Sequence, residues 1–130
     1  MTYTYVLTDP PPSVNDIYCN VSDKMRAAML AKGKRVPGRI KTKEYKGWRQ
    51  VACYELVSQR NSIGATTIRK RVAVRIDLPM KTRGDASNRE KAALDALQDA
   101  KIIANDSQCD PVSIGRADVA RTTITIEVPE

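Results

Sequence analysis

No histidine occurs among the 130 residues, which excludes imidazole general acid/base chemistry and imidazole metal ligation. Any hydrolytic work must therefore rest on carboxylates, lysine or a hard cation. Cysteine is scarce. Cys19, Cys53 and Cys109 lie far apart, their number is odd, and no CxxC spacing occurs. That excludes a disulfide framework and a structural zinc site, and it fits reduced thiols in a cytosol. No apolar run approaches the roughly 20 residues of a membrane span. The first residues lack the basic, apolar, small-residue order of a secretory signal. A cytoplasmic protein with no membrane partner is expected. Internal repeats and low-complexity stretches are also missing.

What is present is charge of one sign. Lys and Arg number 22 against 15 Asp and Glu, a formal net charge of +7, and the sequence pI is about 9.5. On a small chain this points to a polyanionic partner, usually nucleic acid. The bland alternative is a basic protein whose charge is incidental. Hydrophobic residues make up 42%, enough for a globular core, and 130 residues suit one domain, 1–130.

Residues 2–8 alternate, with Tyr3, Tyr5 and Leu7 on one face, and predict a strand ended by Pro10-Pro11-Pro12. Ser22 caps a short helix over 23–32, and 33–41 reads as a basic surface loop carrying Lys34, Arg35, Arg39 and Lys41. Thr42 caps an amphipathic helix over 43–59, on which Tyr45, Trp48, Ala52 and Leu56 recur at helical spacing. Tyr45 and Trp48 have the chemistry to stack on bases, but aromatics at this spacing usually pack inward. Residues 71–78 alternate most cleanly, with Val72, Val74, Ile76 and Leu78 on one face. A helix over 88–100 follows, with Ser87 and Glu90 spaced as a capping box. A weak strand over 112–119 and a better one over 122–128 complete the chain. The order strand, helix, strand, helix, strand, strand predicts an α/β fold, a small mixed β-sheet with two main helices packed on it.

The segment that carries chemistry is Arg83-Gly84-Asp85-Ala86-Ser87-Asn88-Arg89-Glu90-Lys91, then Leu94-Asp95-Ala96-Leu97, then Asn105-Asp106-Ser107-Gln108. Asp85 precedes the helix and Asp106 follows it. A helix of about 13 residues holds its ends roughly 20 Å apart. The two carboxylates meet only if the chain after Ala100 doubles back, and Ile102 and Ile103 are the residues to make that return. Each acid also has an ordinary role. Asp85 favours the positive end of a helix, and Asp106 suits a turn.

This segment resembles the signature of RusA-type junction resolvases, Arg-x-Asp-x-Asp-Asn-x-x-Lys, then Leu/Phe-Asp-Ala-Leu, then Asp-Asp-x-Gln. Pro11-Pro12-Ser13-Val14-Asn15 resembles a second pattern of that family, and the resemblance leaves out the basic segment 20–41. It implies a RusA-like fold and a Mg2+-dependent endodeoxyribonuclease, with Mn2+ as the other candidate cation. It implies a role on four-way (Holliday) junctions in recombination and repair, often in a phage or prophage setting. By position, Asp85 and Asp106 match metal-binding aspartates, Lys91 the catalytic lysine, and Asn88 the asparagine beside the acids. Ser87 stands where the family has a second aspartate, and Asn105 replaces the first acid of Asp-Asp.

Three readings of that departure stay open. Asp85 and Asp106 hold the metal with Ser87 and water, another acid such as Glu90 or Asp110 substitutes, or the protein binds branched DNA and cuts it poorly. The capping box claims Glu90 first. Lys91, one turn after Ser87, is placed to stabilise a phosphate, or else is a solvated helix lysine. Lys81 and Arg83 flank the site and suit DNA phosphates, as do Arg35 and Arg39, with Lys34, Lys41, Arg69, Lys70 and Arg71 extending that surface. Two symmetry-related strands of a four-way junction call for a two-fold homodimer.

Overall fold

A computed structural model describes residues 1–35 and 39–130. The three alternating segments form strands that share one sheet. β1 (Thr2–Leu7), β4 (Val72–Pro79) and β6 (Thr122–Glu127) lie with β5 (Cys109–Ala117) in the order β1-β6-β4-β5. β6 is antiparallel to both β1 and β4, whereas β5 runs parallel to β4. The inward residues fall into register: Tyr5 faces Ile124, Ile124 faces Ile76, and Ile126 faces Val74. The fold is mixed α/β, as the order of elements predicts.

Two helices cover that apolar face. α2 (Lys43–Ser62) buries Tyr45, Ala52 and Leu56, and α3 (Glu90–Asp99) buries Ala92, Ala93, Ala96 and Leu97. Thr42 caps α2 as its type and spacing predict, accepting from the Tyr45 amide at 3.2 Å. α2 extends to Ser62, beyond the predicted end at 59. Gly64, at φ 67°, takes the left-handed conformation that follows it. Gln59 fixes α2 to β1, donating to the Val6 carbonyl at 2.7 Å and accepting from the Val6 amide at 2.8 Å. Arg49 pairs with Asp99 across α2 and α3, one of its bonds being 2.7 Å. Tyr45 is buried and Trp48 half-buried, with its indole N–H on the Asp9 carbonyl at 3.2 Å, so both serve packing.

The predicted loop over 33–41 is corrected in part, and residues 18–20, for which no element is predicted, form a strand. β2 (Tyr18–Asn20) and β3 (Arg39–Lys41) pair antiparallel as a two-stranded ribbon. Between them α1 (Asp23–Ala31) begins at its predicted cap, Ser22. Residues 36–38 of the predicted basic loop lie outside the described residues. No described helix is long and apolar enough to cross a membrane.

Candidate metal and phosphodiester site

The loop before α3 is held on its own backbone. Gly84 has φ 85°, which a side chain disfavours. Arg116 of β5 donates to the Thr82 carbonyl at 2.7 Å and to the Gly84 carbonyl. Arg89 donates to the Pro11 carbonyl at 2.6 Å and to the Arg83 carbonyl at 2.9 Å. These two cations therefore build the loop with their guanidinium groups.

Asp85 caps a 3-10 turn, Ala86–Arg89, that precedes α3. Its Oδ1 accepts from the Ser87 amide at 3.1 Å and from the Ser87 hydroxyl at 2.8 Å. The expected capping box of Ser87 and Glu90 is not formed. The 3-10 turn delays the α-helix to Glu90, and Arg89 at its cap position makes no side-chain cap bond. Ser87 gives its hydroxyl to Asp85 instead, and Glu90 is released from that duty.

The chain does double back after α3. Lys101 adopts φ 58°, and Ile102 and Ile103 turn inward and are buried. Ile103 bridges to Ile68, and the Ile68 amide donates to the Ile102 carbonyl at 2.9 Å. Asn105 and Gln108 form a capping box around the turn Asp106–Gln108. The Gln108 amide also donates to the carbonyls of Ile68 and Lys70 at 2.8 and 2.7 Å. Asn105 thus does a backbone job for which no acid is needed. The Asp106 amide donates to Gln98 Oε1 at 3.2 Å, tying the turn back onto α3.

The result is an open pocket of about 390 Å³ lined by Val14, Ser87, Asn88, Glu90, Lys91, Leu94 and Asp106. A larger hollow along α2, about 650 Å³, has Asp99 as its one acid, held by Arg49. Size does not select the site; the donor set does. Ser87, Asn88, Glu90 and Asp106 offer hard oxygen ligands, suited to Mg2+ or Mn2+. Among the described residues no group of three His, Cys, Asp or Glu side chains gathers. Mg2+ commonly takes one or two carboxylates and keeps several waters, so the residues present fit a partly hydrated cation. Asp85 does not line the pocket but stands one hydrogen bond behind it, through Ser87.

Lys91 donates to Asp95 at 3.3 Å, and Asp95 also accepts from the Tyr45 hydroxyl at 3.2 Å. Burial, then Asp95, pushes the Tyr45 phenol up to about 12, so it remains a donor at neutral pH. Burial, then the carboxylates of Asp106 and Glu90, pushes the Cys109 thiol up to about 11. Both acids therefore act on one thiol at the edge of β5. Lys81 and Arg83 are exposed in the loop leading to Asp85, while Arg35 is exposed between α1 and β3 and Arg39 is exposed at the start of β3.

The family model described as Endodeoxyribonuclease RusA matches residues 20–128. The chain belongs to the RusA family. Membership implies a junction-resolving endodeoxyribonuclease. A search of curated proteins found no match. The RusA match takes in the segment 20–41, which the motif comparison leaves out, and begins after Pro11–Asn15, which the motif comparison includes. Of the residues singled out from sequence, Ser87, Asn88, Glu90, Lys91 and Asp106 share the pocket and Asp85 supports it; Lys81, Arg83, Arg35 and Arg39 do not line it, and Asp110 pairs with Arg71 outside it.

Sequence reasoning missed Asp95 as the partner of Lys91. The signal was present, since residues four apart on a helix are neighbours. It also assigned Glu90 to a cap that the 3-10 turn removes. Gln98 carried no local signal, because its bond to the Asp106 amide depends on the return of the chain.

Proposed function

We propose that residues 1–130 act as one RusA-like endonuclease domain that nicks four-way DNA junctions with Mg2+ or Mn2+, working as a two-fold homodimer. The observation that carries this reading is the return of the chain after α3, which sets Asp106 in one pocket with Ser87, Asn88, Glu90 and Lys91. Asp106 and Glu90 would hold the cation directly, with Ser87 or water beside them and Asp85 behind Ser87. When bound, such an ion supplies a Lewis acid for the phosphate and lowers the pKa of water.

The chain's own residues do the rest. Lys91 brings an ammonium to the pocket, where it offsets charge developing on the phosphate or leaving oxygen. Asp95 and Tyr45 position Lys91. Asn88 offers an amide to a phosphate oxygen. Lys81 and Arg83, with Arg35 and Arg39 farther out, hold the DNA backbone and carry little sequence information. Two copies related by a two-fold axis match the two equivalent strands of a junction. Recombination and repair, in a bacterial or phage-infected cytoplasm, are the setting this activity suits.

Ser87 in place of an acid favours a second reading, a protein that binds junctions and cuts them weakly or not at all. A labelled four-way junction incubated with and without Mg2+ separates the two. Cation-dependent paired nicks support the nuclease, and binding without nicks supports the binder. Asp106→Asn and Asp85→Asn should each abolish cutting while junction affinity is kept or raised, because a negative charge near phosphate is gone. Normal cutting by Asp106→Asn rules out this pocket.

A further inference from the structure

The net charge of this chain is not spread over it. Residues 20–41 hold seven of the 22 Lys and Arg and one, Asp23, of the 15 Asp and Glu. The segment is therefore +6, and the rest of the chain is left with +1 out of the total of +7. The folded body is close to neutral, and the cationic character of the molecule belongs to this segment: Lys24 and Arg26 on α1, Lys32, Lys34 and Arg35 after it, and Arg39 and Lys41 on β3.

That helix packs closely against no other element among the described residues. α1 buries none of its nine residues, and Met25 and Leu30 are 41% and 61% exposed. A helix of this length is marginal in water, and the Ser22 cap adds only about 1 kcal/mol. Its root is firmly held. The Thr42 hydroxyl donates to the Asp16 carbonyl at 2.7 Å, and the Thr42 amide to the Ile17 carbonyl at 2.9 Å. Ile17 is buried with Tyr45 and with Ala92, the neighbour of Lys91. Val14, in the same turn as Asp16, lines the acid-bearing pocket. At the ribbon's base the Arg39 guanidinium lies 5.8 Å from the Tyr18 ring centroid, and the Lys41 ammonium lies 5.8 Å from that of Tyr45.

We propose that β2, α1 and β3 form an arm that grips duplex DNA beside the pocket, supplying most of the molecule's phosphate contacts. The proposal rests on the nuclease reading above and deepens it. DNA is the occupant because a +6 surface needs a dense anionic partner, whereas two such arms facing each other across a homodimer would repel. An arm rooted beside the pocket binds a duplex branch while the strand to be cut lies over the acids.

The test compares the native chain with K24Q/R26Q/K32Q/K34Q and with a charge-matched body variant, K43Q/K46Q/K101Q/R121Q. Each is titrated onto a four-way junction and a linear duplex, without divalent cation, from about 0.05 to about 0.2 M salt. Each lost phosphate contact should flatten the slope of log affinity against log salt by about 0.9, and at 0.1 M cost about eightfold in affinity. The arm variant should flatten by about 2 to 4, and the body variant by less than about 1. Equal slopes for the two variants overturn the arm while leaving the nuclease reading intact. A native chain that binds neither DNA overturns both.

Loss of self-association by the arm variant, with its DNA slope unchanged, reassigns the arm to a subunit contact. Capture of the native chain but not the arm variant by phosphatidylserine vesicles, again with an unchanged slope, reassigns it to a membrane surface. Should the arm variant unfold, Leu30→p-benzoylphenylalanine in the otherwise native chain gives an independent reading. Photocrosslinks from position 30 to a junction branch support the arm, and their absence in a bound complex overturns it.

Discussion

α1 and α3 are nearly equal in length, nine and ten residues, and opposite in what holds them. α1 has a side-chain cap and buries nothing. α3 has no side-chain cap bond and buries Ala93, Ala96 and Leu97 in the core on the sheet and Ala92 against Ile17 and Tyr45. A local signal thus specifies the helix that the core does not need, and packing specifies the one that it does. The division matches the chemistry. Glu90 and Lys91 sit on the packed helix, where small errors of position are costly to catalysis, while the excess positive charge sits on the segment 20–41 that carries the unpacked one, where reach is worth more than rigidity.

The largest expected effect follows from that contrast. Leu97→Ala removes a fully buried side chain between α3 and the sheet and should lower stability by about 3 kcal/mol in urea unfolding. Leu30→Ala makes the same chemical change on α1 and should cost less than about 0.5 kcal/mol. Comparable losses from both would mean that α1 packs against something and that the contrast is false. Next comes Glu90→Gln, which keeps the size of the side chain but replaces one acceptor oxygen with a donor and removes its charge from the pocket. Junction cleavage should fall by about a hundredfold with binding kept, while Ser87→Asp should raise cleavage by restoring an acid. An E90Q protein that cuts at the native rate removes Glu90 from the site and returns the role to Asp85. Asn105→Ala should be milder, about 1 kcal/mol, because it removes the capping bond on the turn that carries Asp106.

Much of the frame is legible in the sequence. β1, β4 and β6 have one face inward, so their alternation is unambiguous, and α2 and α3 have stripes wide enough to read. β5 was caught only in part. It starts at Cys109, ahead of the predicted 112, and as an edge strand parallel to β4 it mixes Asp110, Pro111 and Ser113 with Val112 and Ile114. The ribbon was missed because strands of three residues show no period, and their pairing is set by register across a long excursion. At the site, residue identities were legible and duties were not. Whether Ser87 caps or donates, whether Glu90 is occupied, and whether Arg89 and Arg116 bind phosphate or backbone carbonyls all depend on a 3-10 turn and on contacts between distant segments.

The smallest expected effect probes the pocket without any cation. The Cys109 thiol is pushed up to about 11 from its ordinary 9.0, first by burial and then by Asp106 and Glu90. A raised thiol pKa means that the folded state keeps its proton where the unfolded chain has begun to lose it. The stability this contributes is whole below pH 9.0, and it is lost as pH rises through about 11. Alkylation of Cys109, followed by peptide mass to separate it from Cys19 and Cys53, should therefore have its midpoint near 11 in the native chain. Asp106→Asn removes one of the two charges and should lower that midpoint. It should stay above 9.0, because burial is the larger cause and is untouched. Glu90→Gln should act in the same direction. If neither substitution moves the midpoint, the two carboxylates do not share the surroundings of Cys109, and the case for a cation held between them loses its footing whatever the cleavage assay shows.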